Sequence, residues 1–260
     1  MAKDTRERWS EAVGRWRLPV AVRPTSAPLR APTEFVSARP GRLDDPTARP
    51  LRSHLEHGGV LLDVGCGAAS LSAAMLDRAR VIGVEPQPTA AAAARAAGVE
   101  VVEAAWPACA GTVGVADVVL CTHVCYEVGD LDGFAEALTA AARDLVLAEL
   151  TLAHPAARFA TLLSEVHAMA VPIGPTAQDM VDVLIEGLGV PVARERWQRP
   201  GLRYPDEAAL CAHVADRFAV PDDLRHRLPE VLADVYVLGE HGTAELKPED
   251  VVTLRWPGAA

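Results

Sequence analysis

From Val60 onward, short apolar runs alternate with longer amphipathic or alanine-rich stretches. "VLLDV", "VIGVE", "VEVVEA", "ADVVLCT" and "DLVLAEL" have the length of strands and little polar interruption, so each predicts a buried β-strand. "AASLSAAMLDRA", "PTAAAAARAAG" and "LDGFAEALTAAAR" lie between them and predict helices. Gly98 is placed to end the second of these, and Asp130 to cap the third. Regular alternation of this kind, with near-continuous apolar strands, predicts a doubly wound α/β fold: a mostly parallel sheet covered on both faces.

The flanks read differently. Trp9, Val13 and Trp16 recur at spacings of four and three, which predicts a short helix over residues 5–17. Pro19, Pro24, Pro28, Pro32, Pro40, Pro46 and Pro50 make residues 18–50 an extended arm. Past residue 151, "HPAARFATLLSEVHAMA" predicts a helix. Thr176 opens another through a capping box with Asp179, and Gly187 and Gly189 lie near its end. "VPVARERWQRP" predicts a sixth strand, 205–218 and 222–237 two helices, and "DVVTLRWP" a last strand. The chain then divides into an N-terminal helix and arm over 1–52 and a main domain over 53–260. That domain carries helical insertions at about 152–188 and 205–237. Trp9, Trp16 and Phe35 give the arm the aromatic content of a lid, or of a segment docked on the core.

Composition narrows the function. The chain has 260 residues and half are hydrophobic, enough for one sizeable core. A formal charge of −10 argues against nucleic acids and anionic membranes as partners. It favours a neutral or cationic small molecule. Arg39, Arg42, Arg49 and Arg52 read as a solvated arm. The five cysteines show no Cys-x-x-Cys spacing, so no metal site is indicated, and reduced thiols fit a cytoplasmic setting. No segment reaches the roughly 18 apolar residues of a membrane span.

The candidate chemistry begins at "LLDVGCGAAS". A strand ending in Asp63 runs into Gly65, Cys66 and Gly67 and then a predicted helix. Glycines permit a sharp turn and close approach of a ligand to the main chain. Glu85 closes the next strand, where an acid can accept both hydroxyls of a ribose. Together they indicate a nucleoside-containing cofactor, bound outside the carboxyl ends of the strands. A dinucleotide turn would need a third glycine, and Ser70 stands there instead.

"LLDVGCGAAS" resembles the first motif of class I S-adenosylmethionine-dependent methyltransferases, and in particular of bacterial small-molecule methyltransferases. The family's last glycine corresponds to Ala69. "VIGVEP" resembles the second motif, which implies Glu85 on the ribose with Pro86 beside it. "VVEAAWP" resembles the third; the acid usual there is replaced by Ala105, which implies that the adenine relies on main-chain contacts plus Trp106, or on Pro86. "ADVVLCTHVCYEVGDLDGF" resembles the fourth-strand motif, which implies Thr122 and His123 near the methionine part. The likeness runs over residues 58–151. It implies a seven-stranded sheet with an antiparallel last strand, S-adenosylmethionine as cofactor, S-adenosylhomocysteine as product, and methyl transfer to an O or N atom of a small molecule. His123, Tyr126 and Glu127 are the candidate catalytic residues. His123 could serve as a general base or as a cofactor ligand, and Glu149 and His154 face the same edge. Two other functions remain as alternatives: a non-catalytic methyltransferase-like binding protein and an NAD-linked oxidoreductase.

Overall fold

The computed structural model describes residues 4–16, 44–172 and 174–259. Most of the proline-rich arm, with Phe35, Arg39 and Arg42, therefore lies outside the described residues. The sheet strands are β1 (Val60–Val64), β2 (Arg80–Val84), β3 (Glu100–Val102), β4 (Ala116–Thr122), β5 (Ala142–Thr151) and β6 (Ala193–Arg199). Three short strands follow: β7 (Arg203–Tyr204), β8 (Tyr236–Leu238) and β9 (Ala244–Leu246), and then β10 (Glu249–Pro257).

Seven of them form one sheet in the order β3-β2-β1-β4-β5-β10-β6. The pairings among β1 to β5 are parallel, and β10 runs antiparallel to both β5 and β6. Strand order reverses between β1 and β4. In open α/β sheets ligands bind outside the carboxyl ends at such a point.

Helices cover both faces. On one, α1 (Thr5–Arg15), α5 (Leu131–Ala140) and α7 (Ala177–Leu188) pack over Leu62, Val64, Val119, Cys121, Val146 and Ala148. On the other, α2 (Ala48–His54) and α3 (Pro88–Ala96) pack over Leu61, Val118, Leu120 and Leu147, and a one-turn helix, α4 (Ala110–Val113), precedes β4. Alternate residues of β1, β2, β4 and β5 thus enter opposite cores, which is why these strands read as unbroken apolar runs.

Local signals act as the sequence predicts. Pro88 opens α3, and Gly98, at φ 91°, follows its end while Val99 N–H returns to the Ala94 carbonyl at 3.1 Å. Asp130 caps α5 through the Gly133 N–H. Thr176 and Asp179 form a complete capping box on α7. Asp45 caps α2, accepting from the Thr47 and Ala48 N–H groups at 2.9 and 2.7 Å.

Three expectations change. The helix expected after β1 is only a 3-10 turn, Ser72–Met75. Ala69 takes a left-handed conformation at φ 56°, and the Ser72 hydroxyl is drawn to Asp63; together they break an α-helical path. The expected helix over 222–237 is a 3-10 segment, Asp222–Arg227, then α9 (Leu228–Val231), whose second residue is Pro229, and then β8. Finally, β7, β9 and β8 form a second, antiparallel three-stranded sheet. With α6 (Ala160–His167) and α8 (Glu207–Arg217) it builds its own apolar cluster around Phe159, Tyr204 and Phe218. Strands of two or three residues carry too little alternation to be read beforehand.

Candidate active site

The turn after β1 is held from three sides. Gly65 and Cys66 donate to the Val84 carbonyl of β2 at 2.8 and 3.1 Å. Asp63, buried at the end of β1, accepts from the Ser72 hydroxyl at 2.6 Å. Gly67 donates its N–H to the Glu85 carboxylate at 2.9 Å. Gly65 and Gly67 have φ of 70° and 56°, a region that suits glycine. A Cβ on Gly65 would lie 2.3 Å from Cγ2 of Val124, so this glycine lets the turn touch the loop after β4. The Cys66 side chain packs over Gly83 of β2, where a Cβ would meet its sulfur at 2.6 Å.

Glu85 is 4% exposed. Its second oxygen accepts from the Gln87 N–H at 3.0 Å. Two backbone donors fix the carboxylate, and each oxygen keeps a lone pair for a further hydroxyl. Pro86 and Ala105 are exposed, after β2 and β3 respectively. Trp106 is partly buried against the core, and its buried indole N–H has no hydrogen-bond partner among the described residues. Thr122 ends β4, and His123 follows it.

His123 has φ 60° and is anchored to β5 by its N–H on the Glu149 carbonyl at 2.9 Å. Its imidazole Nε2 meets Glu149 Oε1 at 2.8 Å. Glu149 is completely buried. Thr47 donates to its other oxygen at 2.7 Å, and Thr47 also contacts Thr253 of β10 at 2.7 Å. Arg199 lies 3.3 Å from Glu149, touches His123 Nε2, and pairs with Glu249 at 2.6 Å. Arg158 approaches Glu249 at 3.7 Å. The carboxyl edge beyond β4 thus carries a connected charge network in which every carboxylate has a cationic or hydroxyl partner.

Two candidates from the sequence take packing roles here. The Tyr126 hydroxyl donates to the Thr151 carbonyl and accepts from the Thr151 hydroxyl at 2.7 Å, and the residue is buried. Burial pushes its phenol far above the ordinary range. His154 stacks on Trp16 with ring centroids 3.9 Å apart, and its Nδ1 accepts from the Ala156 N–H at 3.2 Å. Burial, aided by the Arg217 charge, lowers its pKa to about 4. Glu127 is exposed at the rim.

The N-terminal helix is docked. Trp9 is buried and donates to the Val128 carbonyl at 2.7 Å, and Trp16 donates to the Gly174 carbonyl at 2.5 Å. Arg49 and Arg52 form exposed pairs with Glu195 and Asp44.

Sequence reasoning missed Thr47, Arg199 and Glu249. The antiparallel pairing of β6 with β10 puts Arg199 opposite Glu249, a register no local pattern shows. Thr47 sits in the arm, among prolines. Among the described residues no group of three or more His, Cys, Asp and Glu side chains could hold a metal ion.

Residues 62–175 match the family model described as a methyltransferase domain. No curated protein matches the chain. Among solved structures, the chain is similar to magnesium protoporphyrin IX methyltransferase of Synechocystis PCC 6803 with bound S-adenosylhomocysteine. The TM-score is 0.53 at 13% identity, covering 98% of this chain and all of that one. It is also similar to the YcgJ protein of Bacillus subtilis, with a TM-score of 0.53 at 12% identity, covering 82% and 97%. These two likenesses carry the fold.

Proposed function

We propose that this chain, an S-adenosylmethionine-dependent methyltransferase over its matched domain, methylates an oxygen or nitrogen atom of a small molecule at the carboxyl edge of β4 and β5. The observation that carries the reading is the His123–Glu149 pair at 2.8 Å beside the glycine turn. The residues of the turn fit the cofactor. Glu85 is fixed by two backbone donors, with lone pairs to spare for two ribose hydroxyls. Trp106 has an unused indole N–H near the adenine end.

When bound, the sulfonium supplies an electrophilic methyl group and a neutral thioether leaving group. The chain's own residues then have to position the acceptor and remove its proton. Alignment of acceptor and methyl supplies much of the acceleration. Glu149, sealed from water, and Arg199 hold the His123 ring at Nε2, at the edge where the imidazole would take the proton of an acceptor hydroxyl. Tyr126, locked on Thr151, acts as a wall. The N-terminal helix shields this edge from water, with Trp16 closing over His154. No helix among the described residues is long and apolar enough to cross a membrane, and a small-molecule acceptor without nucleic acid or membrane agrees with the acidic chain.

The test is a labelled-methyl assay. The protein is incubated with methyl-labelled S-adenosylmethionine and a mixture of small metabolites, RNA and protein, then fractionated by mass. Label is expected in the small-molecule fraction. Label in RNA or protein contradicts the reading, and cofactor binding without turnover supports a non-catalytic protein instead.

A further inference from the structure

Beyond the charge network lies a guanidinium with no counter-ion. The Arg217 side chain, at the end of α8, makes no hydrogen bond or ion pair among the described residues, and its Nε is fully buried. It rests on two aromatic faces, with Cζ 5.9 Å from the Phe159 ring and 5.5 Å from that of Phe218. Arg158 also has a buried Nε without a partner, and its other nitrogens serve the Lys247 carbonyl and Glu249. Glu149 and Glu249 are already shared among Arg158, Arg199 and His123. Three arginines therefore meet two buried or half-buried carboxylates, in a chain whose net charge is −10. Glu127, the remaining acid whose charge reaches Arg217, is exposed at the rim.

We infer that Arg217, with Arg158 behind it, is the recognition site for a carboxylate on the methyl acceptor. This rests on the methyltransferase reading and names the substrate class within it. Arg217 stands between the insertion and the two loops that matter. It shares the Phe159 ring with Arg158, whose partner Glu249 also holds Arg199, and Arg199 reaches Glu149 and His123 past β5 and β4. Burial holds the Arg217 guanidinium below the usual arginine range, against the opposing influence of Tyr204 and Glu249, and the Arg158 charge adds to the lowering. Only Nε is sealed, so the two terminal nitrogens remain open as donors for an incoming anion. The forked donor set matches a planar carboxylate, and the two phenylalanines suit an organic acid. A surplus of one positive charge calls for a singly charged group rather than a phosphate dianion. The net charge of the chain, which by itself favours a neutral or cationic substrate, misleads at this site.

The test uses matched pairs that differ in charge: salicylate with salicylamide, and lactate with lactamide, plus phenyl phosphate. Each is titrated by calorimetry into the intact protein, and S-adenosylhomocysteine is titrated into the same preparation. The acids are expected to bind about ten-fold tighter than their amides, the difference a charge-assisted hydrogen-bond pair supplies. Arg217→Gln should abolish most of that preference and leave S-adenosylhomocysteine affinity unchanged. Arg217→Met, which keeps the stem against Phe159 and Phe218, gives a second reading should the first variant fold poorly. Acids that bind no better than amides, with no binding of either included, overturn the assignment. So does a preference that survives in the variants, or one for phenyl phosphate over the acids. Absent S-adenosylhomocysteine binding overturns the methyltransferase reading instead, and the acid–amide comparison still reports on Arg217.

Discussion

Gly65 should tolerate no side chain, for two reasons that can be separated. Its φ of 70° places any L-residue in the left-handed region, a cost of roughly 1–2 kcal/mol. A Cβ would also lie 2.3 Å from Val124 Cγ2, while Val124 Cβ and Cγ1 are each 3.5 Å away. Relieving that overlap moves the β4 loop, at roughly 1–3 kcal/mol. The stiffer unfolded chain returns about 0.4–1 kcal/mol. Gly65→Ala should therefore lose about 2–4 kcal/mol in urea unfolding with an unchanged m-value. Val124→Ala removes the clashing methyl and leaves Cβ at an ordinary contact distance. Alone it should cost about 1 kcal/mol, in line with a partly buried pair of methyl groups. In the double variant the overlap is gone and only the backbone strain remains. The cycle should show a favourable coupling of about 1–3 kcal/mol between the two sites. Costs that add to within about 0.5 kcal/mol would refute the claim that Gly65 is there for contact with the His123 loop.

Three further outcomes follow from other parts of the site. Ala69 sits in the left-handed region with its methyl buried, so Ala69→Gly exchanges strain relief of about 1–2 kcal/mol for a lost methyl contact of about 0.8 kcal/mol and a more flexible unfolded chain. Chemical denaturation should find it within about 0.5 kcal/mol of the natural protein, with Ala69→Val clearly destabilised because branching worsens the strain. Thr47→Val removes a buried hydroxyl from the Glu149 carboxylate and should cost about 1.5–3 kcal/mol, with Thr47→Ser recovering most of it; equal losses in both would show that packing, not the hydrogen bond, matters. His154 has a pKa of about 4 in the fold against 6.5 unfolded. As pH falls through that window the unfolded chain takes up a proton that the native state does not. Stability should drop by about 2–3 kcal/mol, a fall that unfolding midpoints in His154→Phe should lack.

The central sheet was legible because β1, β2, β4 and β5 are buried on both faces, and two-sided burial writes itself as an unbroken apolar run. The turn was legible because Gly65 and Gly67 take positive φ, and Asp63 and Glu85 stand at the ends of the strands on either side and brace it. The short element after β1 was misread, since "AASLSAAMLDRA" has helical composition. Its path is decided by the Ser72–Asp63 hydrogen bond and the conformation of Ala69. The second sheet escaped because its strands are too short for periodicity. The charge network escaped for a different reason. Thr47, Glu149, Arg199 and Glu249 come from four separate segments, and only the antiparallel insertion of β10 brings them together. Tyr126 looked like a catalytic group because it follows β4. Its burial and its bond to Thr151 are properties of the fold, invisible in the order of residues.

Calorimetric titration of S-adenosylhomocysteine into the natural protein and into Glu85→Ala tests the central claim most directly. Saturable binding to the former is predicted, with affinity at least about ten-fold weaker in the variant, because the variant loses both the ribose acceptor and the partner of the Gly67 N–H. Unchanged affinity in Glu85→Ala, no binding to the natural protein, or saturable binding of NAD in its place would contradict the account.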